Sequence, residues 1–178
     1  MTVIARLGAF LAIVLLAAGC TTTSPGESKP APSASDESDR PREITLDDID
    51  PCTLLRQSDH NTFSIAGPAE PGEDDHGNAQ CVWNTDGGFI DITLVTHEGF
   101  ETPKGGLADV EAADPIEGFP ARNLTLTENE HSCFTDVDVA EGQYLTTHVG
   151  RYSDSDTDPS PCEYSYQLAE SVMSTLVP

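Results

Sequence analysis

The sequence predicts an α+β domain: a mostly antiparallel sheet of about five strands, packed with an N-terminal and a C-terminal helix and stapled by two disulfides. Three observations carry that prediction. Alternating apolar and polar residues flank Gly-containing turns at two places. An amphipathic stretch of helical period closes the chain. Cys52 and Cys162 fall in helix starts, and Cys81 and Cys133 in strand-like runs.

The chain opens on something other than this domain. Met1 to Arg6 carries one basic side chain, Leu7 to Ala18 is an apolar run, and Leu16-Ala17-Ala18-Gly19-Cys20 follows the pattern of a bacterial lipobox. As a helix the run would measure about 18 Å, short of the roughly 20 apolar residues that span a bilayer. Residues 1–19 therefore read as a lipoprotein signal peptide, and Cys20 as the lipidated N-terminus of the mature chain. Two or more acyl chains hold a protein on a membrane where one does not. The rest of the 20–43 segment is built from Ser, Thr, Pro, Ala and acidic residues. With almost no apolar surface to offset its ordering entropy, it reads as a disordered tether with a reach of about 26 Å as a flexible coil.

Residues 44–178 form the single exported domain, within the usual size range of one domain. Asp50-Pro51-Cys52 places a capping residue before proline, and Ile49 with Leu54 would staple the helix that follows. Residues 80–84 and 89–96 read as a hairpin across Asp86-Gly87-Gly88, with Ile90, Ile92 and Leu94 on one face and Asp91 and Thr93 on the other. Leu107 to Ala113 reads as a short helix and Arg122 to Thr127 as a strand. Cys133, Thr135, Val137 and Val139 alternate up to Glu141-Gly142, and Leu145, Thr147 and Val149 continue as a second hairpin. Ser160 and Glu163 form a capping box around Pro161-Cys162. Cys162, Tyr166, Ala169, Val172, Met173 and Leu176 then share one helical face.

With Cys20 assigned to lipid, four cysteines remain in an exported chain, where disulfides persist. No CxxC pair is present, which disfavours zinc. Four cysteines allow three connectivities. Pairing each helix start with its nearer strand favours Cys52 with Cys81 and Cys133 with Cys162.

In order, the chain carries the lipobox, the Ser/Pro-rich tether, Asp50-Pro51-Cys52 with Leu54-Leu55, Cys81-Val82-Trp83, Gly118-Phe119-Pro120-Ala121, Cys133, and Cys162 opening a terminal helix that ends Thr175-Leu176-Val177-Pro178. This set resembles a family of small actinobacterial lipoproteins, the domain of unknown function 3558. The resemblance implies a membrane-anchored exterior domain with two disulfides. It supplies no catalytic residues.

The formal charge is −23, and loss of Arg6 with the signal peptide makes it one unit more negative. Such a surface repels phosphate backbones and anionic headgroups, which excludes nucleic acid as a partner. Basic proteins and divalent cations would be attracted.

Asp154-Ser155-Asp156-Thr157-Asp158 copies the opening of a calcium loop, but Pro159 and Ser165 stand where that loop needs glycine and a bidentate glutamate. His60, His76, His97, His131 and His148 are scattered without ligand spacing, and no GxSxG elbow or phosphate loop is present. No catalytic, cofactor-binding or metal-ligating residue is therefore expected. The expectation is a lipid-anchored protein on the outer face of the cytoplasmic membrane, acting as a non-catalytic binding or accessory module toward an envelope protein or cell-wall component. A carrier of a small or lipidic ligand is the alternative, followed by an envelope hydrolase with dispersed catalytic residues.

Overall fold

In the computed structural model of the chain, residues 39–102, 108–152 and 159–178 are described. The signal peptide, Cys20, the tether as far as Ser38, Gly105-Gly106 and the calcium-loop-like segment Asp154–Asp158 lie outside these residues.

Seven strands form one antiparallel sheet: β1 (Glu70–Glu73), β2 (Ala79–Thr85), β3 (Gly88–Val95), β4 (Ala108–Ile116), β5 (Phe119–Leu126), β6 (Asn129–Ala140) and β7 (Gln143–Arg151). Their spatial order is β1-β2-β3-β7-β6-β5-β4. Two meanders, β1-β2-β3 and β4-β5-β6-β7, thus meet at the β3–β7 pair, where Ile92 lies opposite Thr147 and Asp91 opposite His148.

The sequence correctly marks the two hairpins, because both rest on local signals. Thr85 pairs with Gly88 across Asp86-Gly87, and Ala140 with Gln143 across Glu141-Gly142. Three expectations need correction. Of the segment Leu107 to Ala113, read as a helix, Leu107 lies outside the described residues and 108–113 belong to β4 (108–116), folded back on β5 by a two-residue turn. In that turn Glu117 and Gly118 have φ of 52° and 82°, a geometry that demands glycine at one position at least. The helix propensity of an Ala-rich segment is a weak preference beside a complete ladder of hydrogen bonds.

The second correction is the strand count, seven rather than about five. Besides β4, the sequence reading missed β1, Glu-Pro-Gly-Glu, which is exposed throughout and so shows no alternation. Proline is tolerated there because β1 is an edge strand.

The third is the N-terminal helix, which is a single 3₁₀ turn, Pro51–Thr53. The cap is present, with Asp50 Oδ1 accepting from the Cys52 N–H at 2.9 Å. The chain leaves the turn at Leu54 and Leu55, both of which are buried in the core. A second short turn, α1 (Asp59–Thr62), follows and delivers Phe63 to the core.

The long helix α2 (Pro161–Leu176) packs on one face of the sheet, chiefly over β6 and β7. Its capping box is complete: Ser160 Oγ accepts from Glu163 N, and Glu163 Oε2 accepts from Ser160 N at 2.8 Å. Leu168, Ala169, Val172 and Met173 are buried against Trp83, Ile90, Ile92, Val137, Leu145 and their neighbours. One polar contact sits within this layer. Thr147 Oγ1 donates to the Ser165 carbonyl at 2.9 Å, and Ser165 Oγ donates to the Thr147 carbonyl at 3.0 Å, so neither hydroxyl is left unsatisfied.

Both disulfides fasten segments of this helical layer to the sheet. Cys52–Cys81 ties the 3₁₀ turn to β2, and Cys133–Cys162 ties the first turn of α2 to β6, each with a sequence separation of 29. The described fold also includes residues at the end of the segment read as tether. Arg40 Nη1 donates to both carboxylate oxygens of Asp138, at 2.6 and 2.7 Å, and the guanidinium makes a second ion pair with Glu43.

Candidate functional site

The side chains that alternate away from α2 form the second face of the sheet. Strand register arranges them in rows. One row runs Gln80, Thr93, Thr146, Asp136, Arg122 from β2 to β5, and the next runs Val82, Asp91, His148, Phe134, Leu124. A face turned from the core ordinarily stays wet, yet Asp91, Thr93, Asp136 and Thr146 are all buried, Asp136 at 1% exposure.

Buried polar groups require partners, and this face supplies them laterally. Arg122 donates to Asp136 Oδ2 through Nη2 at 2.9 Å, while Thr146 Oγ1 donates to Asp136 Oδ1 at 2.8 Å. Gln80 Nε2 donates to Thr93 Oγ1, which donates to Asp91 Oδ1. His148 Nδ1 lies 2.8 Å from Asp91 Oδ2, and its Nε2 lies 2.6 Å from Ser132 Oγ. An ionised carboxylate only accepts, so Nδ1 carries the proton. Phe134 stacks on the imidazole at 3.9 Å and Phe89 meets it edge-on at 5.1 Å. Phe89 has room for this because its ring lies over Gly150, where any Cβ would collide with it.

A cavity of about 630 Å³ opens above these rows. Gln80, Thr93, Thr146 and Asp136 of the first row and Asp91 and His148 of the second form its floor, and Val95, Leu124, Leu126, Phe134 and Tyr144 add apolar surface. Asp74, His76 and Asn78 contribute from the β1–β2 connection. That connection is braced by Asp74, which accepts from the backbone N–H of His76 and of Asn78 and from Asn78 Nδ2, each at 2.8 Å. Burial acts to raise the Asp74 pKa, but the three hydrogen bonds outweigh it and hold the carboxyl below its ordinary value of 3.8.

The opposite rim is the segment after β3, where Glu98 and Thr102 line the cavity. Phe100 anchors it: the Arg122 guanidinium lies 4.3 Å from the Phe100 ring centroid, and Tyr144 meets that ring edge-on. Arg122 therefore joins the floor to the rim through Asp136 on one side and Phe100 on the other. Nearby, burial raises the Asp138 pKa; the Arg40 contact opposes this, while Glu101 and Glu43 add to it.

Asp91, His148 and Ser132 repeat the connectivity of an Asp-His-Ser triad. Two features separate them from a nucleophilic site. Ser132 is 3% exposed and does not line the cavity, and it sits within a regular strand pair opposite Gly150 rather than on a sharp turn that would present its hydroxyl. The hydrogen bonds to both ring nitrogens fix His148 as part of the cavity wall.

Among the described residues, no group of three or more His, Cys, Asp or Glu is arranged to hold a metal ion, and no helix is long and apolar enough to cross a membrane. His60, His76, His97 and His131 are not gathered into one site. The sequence reading missed the cavity. Asp91 and His148 are simply the polar half of alternating strands until β3 and β7 become neighbours.

Fold and cavity define a disulfide-stapled domain, helical on one face of its sheet and concave on the other. The family "Protein of unknown function (DUF3558)" matches residues 15–175, and the chain belongs to it. No curated protein and no solved structure matches.

Proposed function

We propose that this chain is an exported lipoprotein, anchored through acylated Cys20 to the outer face of the cytoplasmic membrane, whose domain binds a small ligand in the cavity on the helix-free face. The observation that carries the binding half is the cavity itself. Its volume lies in the range of small-molecule sites, and it combines apolar walls with a few fixed, buried polar groups. This favours the carrier alternative over docking of an envelope protein or cell-wall component. The anchoring half rests on the lipobox, the tether composition and the disulfides, which suit an oxidising exterior.

Intact mass measurement on protein purified from its own membrane tests the anchor. The expected mass corresponds to a chain starting at Cys20 with acyl additions. A chain still carrying residues 1–19, or unmodified at Cys20, would refute it.

The Asp91-His148-Ser132 chain favours a second reading, ester or amide hydrolysis. Burial of Ser132 speaks against it. Labelling with a fluorophosphonate probe decides: stoichiometric modification of Ser132, lost in Ser132→Ala, would establish hydrolysis, and absence of labelling removes it.

A further inference from the structure

We propose that the cavity takes a small organic cation, an ammonium or guanidinium group carried on an apolar body. This rests on the small-ligand reading and names the class of ligand.

Among the described residues that line the cavity, four are carboxylates, Asp74, Asp91, Glu98 and Asp136, and none is a lysine or arginine. Asp136 is offset by Arg122 from outside the cavity, and Asp91 is hydrogen-bonded to His148. Asp74 is different: its hydrogen bonds come from the neutral amides of His76 and Asn78, so its charge is oriented but not cancelled by them. The described lining therefore carries an excess of negative charge, in a chain whose overall charge adds to it.

A separate observation points the same way. Asn78 also lines the cavity and is 5% exposed, and its Oδ1 is buried without a hydrogen-bond partner. An unsatisfied buried acceptor costs about 1–3 kcal/mol, which a donor brought by a ligand would recover. Carboxylates and an orphaned carbonyl oxygen all ask for donors. A cation with N–H groups supplies donor and charge together, and an anion supplies neither. The apolar half of the lining, with the rings of Phe134 and Tyr144, suits the body of such a molecule and attracts cations through its aromatic faces. A bare metal ion fits less well, since no three ligating side chains converge among the described residues.

The test uses full-length protein in phosphatidylcholine nanodiscs, with empty nanodiscs as reference. Titration calorimetry compares 2-phenylethylammonium with its neutral and anionic counterparts, 2-phenylethanol and phenylacetate. The cation is expected to bind at a single site at least about tenfold tighter than either counterpart and to weaken with added salt. Binding should fall several-fold in Asn78→Leu and in Asp74→Asn, each checked to melt cooperatively and to be fully folded at the titration temperature.

Equal or tighter binding of phenylethanol or phenylacetate would overturn the cationic class while leaving the small-ligand reading intact. Cation binding undiminished in both folded variants would place it on the outer acidic surface and overturn the proposal. Binding of none of the three also overturns it; the small-ligand reading is then decided by the retained-ligand measurement that closes the Discussion.

Discussion

Removing the two disulfides one at a time tests whether they act as loop constraints. Each closes a separation of 29 residues, for which the chain-entropy relation gives about 3.6 kcal/mol at 25 °C. The native surroundings differ. Cys133 lies in interior strand β6 beneath the start of α2, whereas Cys52 sits in an isolated 3₁₀ turn over β2. Equal loops predict equal losses, so any difference between Cys52→Ala/Cys81→Ala and Cys133→Ala/Cys162→Ala reports native packing. The assay is equilibrium urea unfolding followed by the single tryptophan, Trp83, which is buried in the core and becomes wet on unfolding. Each double variant should lose about 3–4 kcal/mol with a steeper urea dependence, because the unlinked denatured chain is less compact. A loss below about 1 kcal/mol in both would refute the loop-closure argument.

Five further outcomes are expected. Leu168→Ala, at a fully buried helix position, should cost about 2–5 kcal/mol in the same assay, and Ser160→Ala about 1 kcal/mol through loss of the cap. Gly88→Ala should destabilise by about 1–3 kcal/mol, because its Cβ would collide with the Gly150 carbonyl oxygen in the β3–β7 pair. Asp74 has a folded pKa below its ordinary 3.8, so its stabilisation is full above that value and lost as pH falls through the folded pKa. The stability gap between wild type and Asp74→Asn, read by urea titration, should therefore close in acid below about pH 4. Ser132→Ala should leave ligand binding within about threefold, since Ser132 lies outside the cavity.

What the sequence revealed was what local chemistry decides. The Ser160–Glu163 capping box, the Asp86-Gly87 and Glu141-Gly142 hairpins and the start at Asp50-Pro51 are each specified within a few residues, and all are present. Pairing each cysteine-bearing turn with its nearer strand needed only that neighbours in sequence be neighbours in space. Where a segment's state depends on its partner, the reading failed. β4 is a strand only because β5 lies beside it, and β1 only because β2 offers an edge. The cavity depends on still longer connections. His148 reaches Asp91 across 57 residues, and the floor exists only because β3 pairs with β7 instead of with its successor in the chain. Alternation showed that Asp91 and Thr93 face away from the core. That the same face is covered and its polar groups buried follows from Phe100, Arg122 and the 74–78 turn, none of which the strand pattern reports.

The central claim is that the helix-free face holds a small ligand, and native mass spectrometry of protein released gently from its own membrane tests it directly. Wild type should carry a non-covalent small molecule beyond the acyl mass on Cys20. Thr146→Trp, which places an indole on the cavity floor, and Ala108→Trp, at its edge, should both lose it while retaining two intact disulfides. Wild type released without any bound molecule, or a molecule retained equally in both folded variants, would contradict the claim.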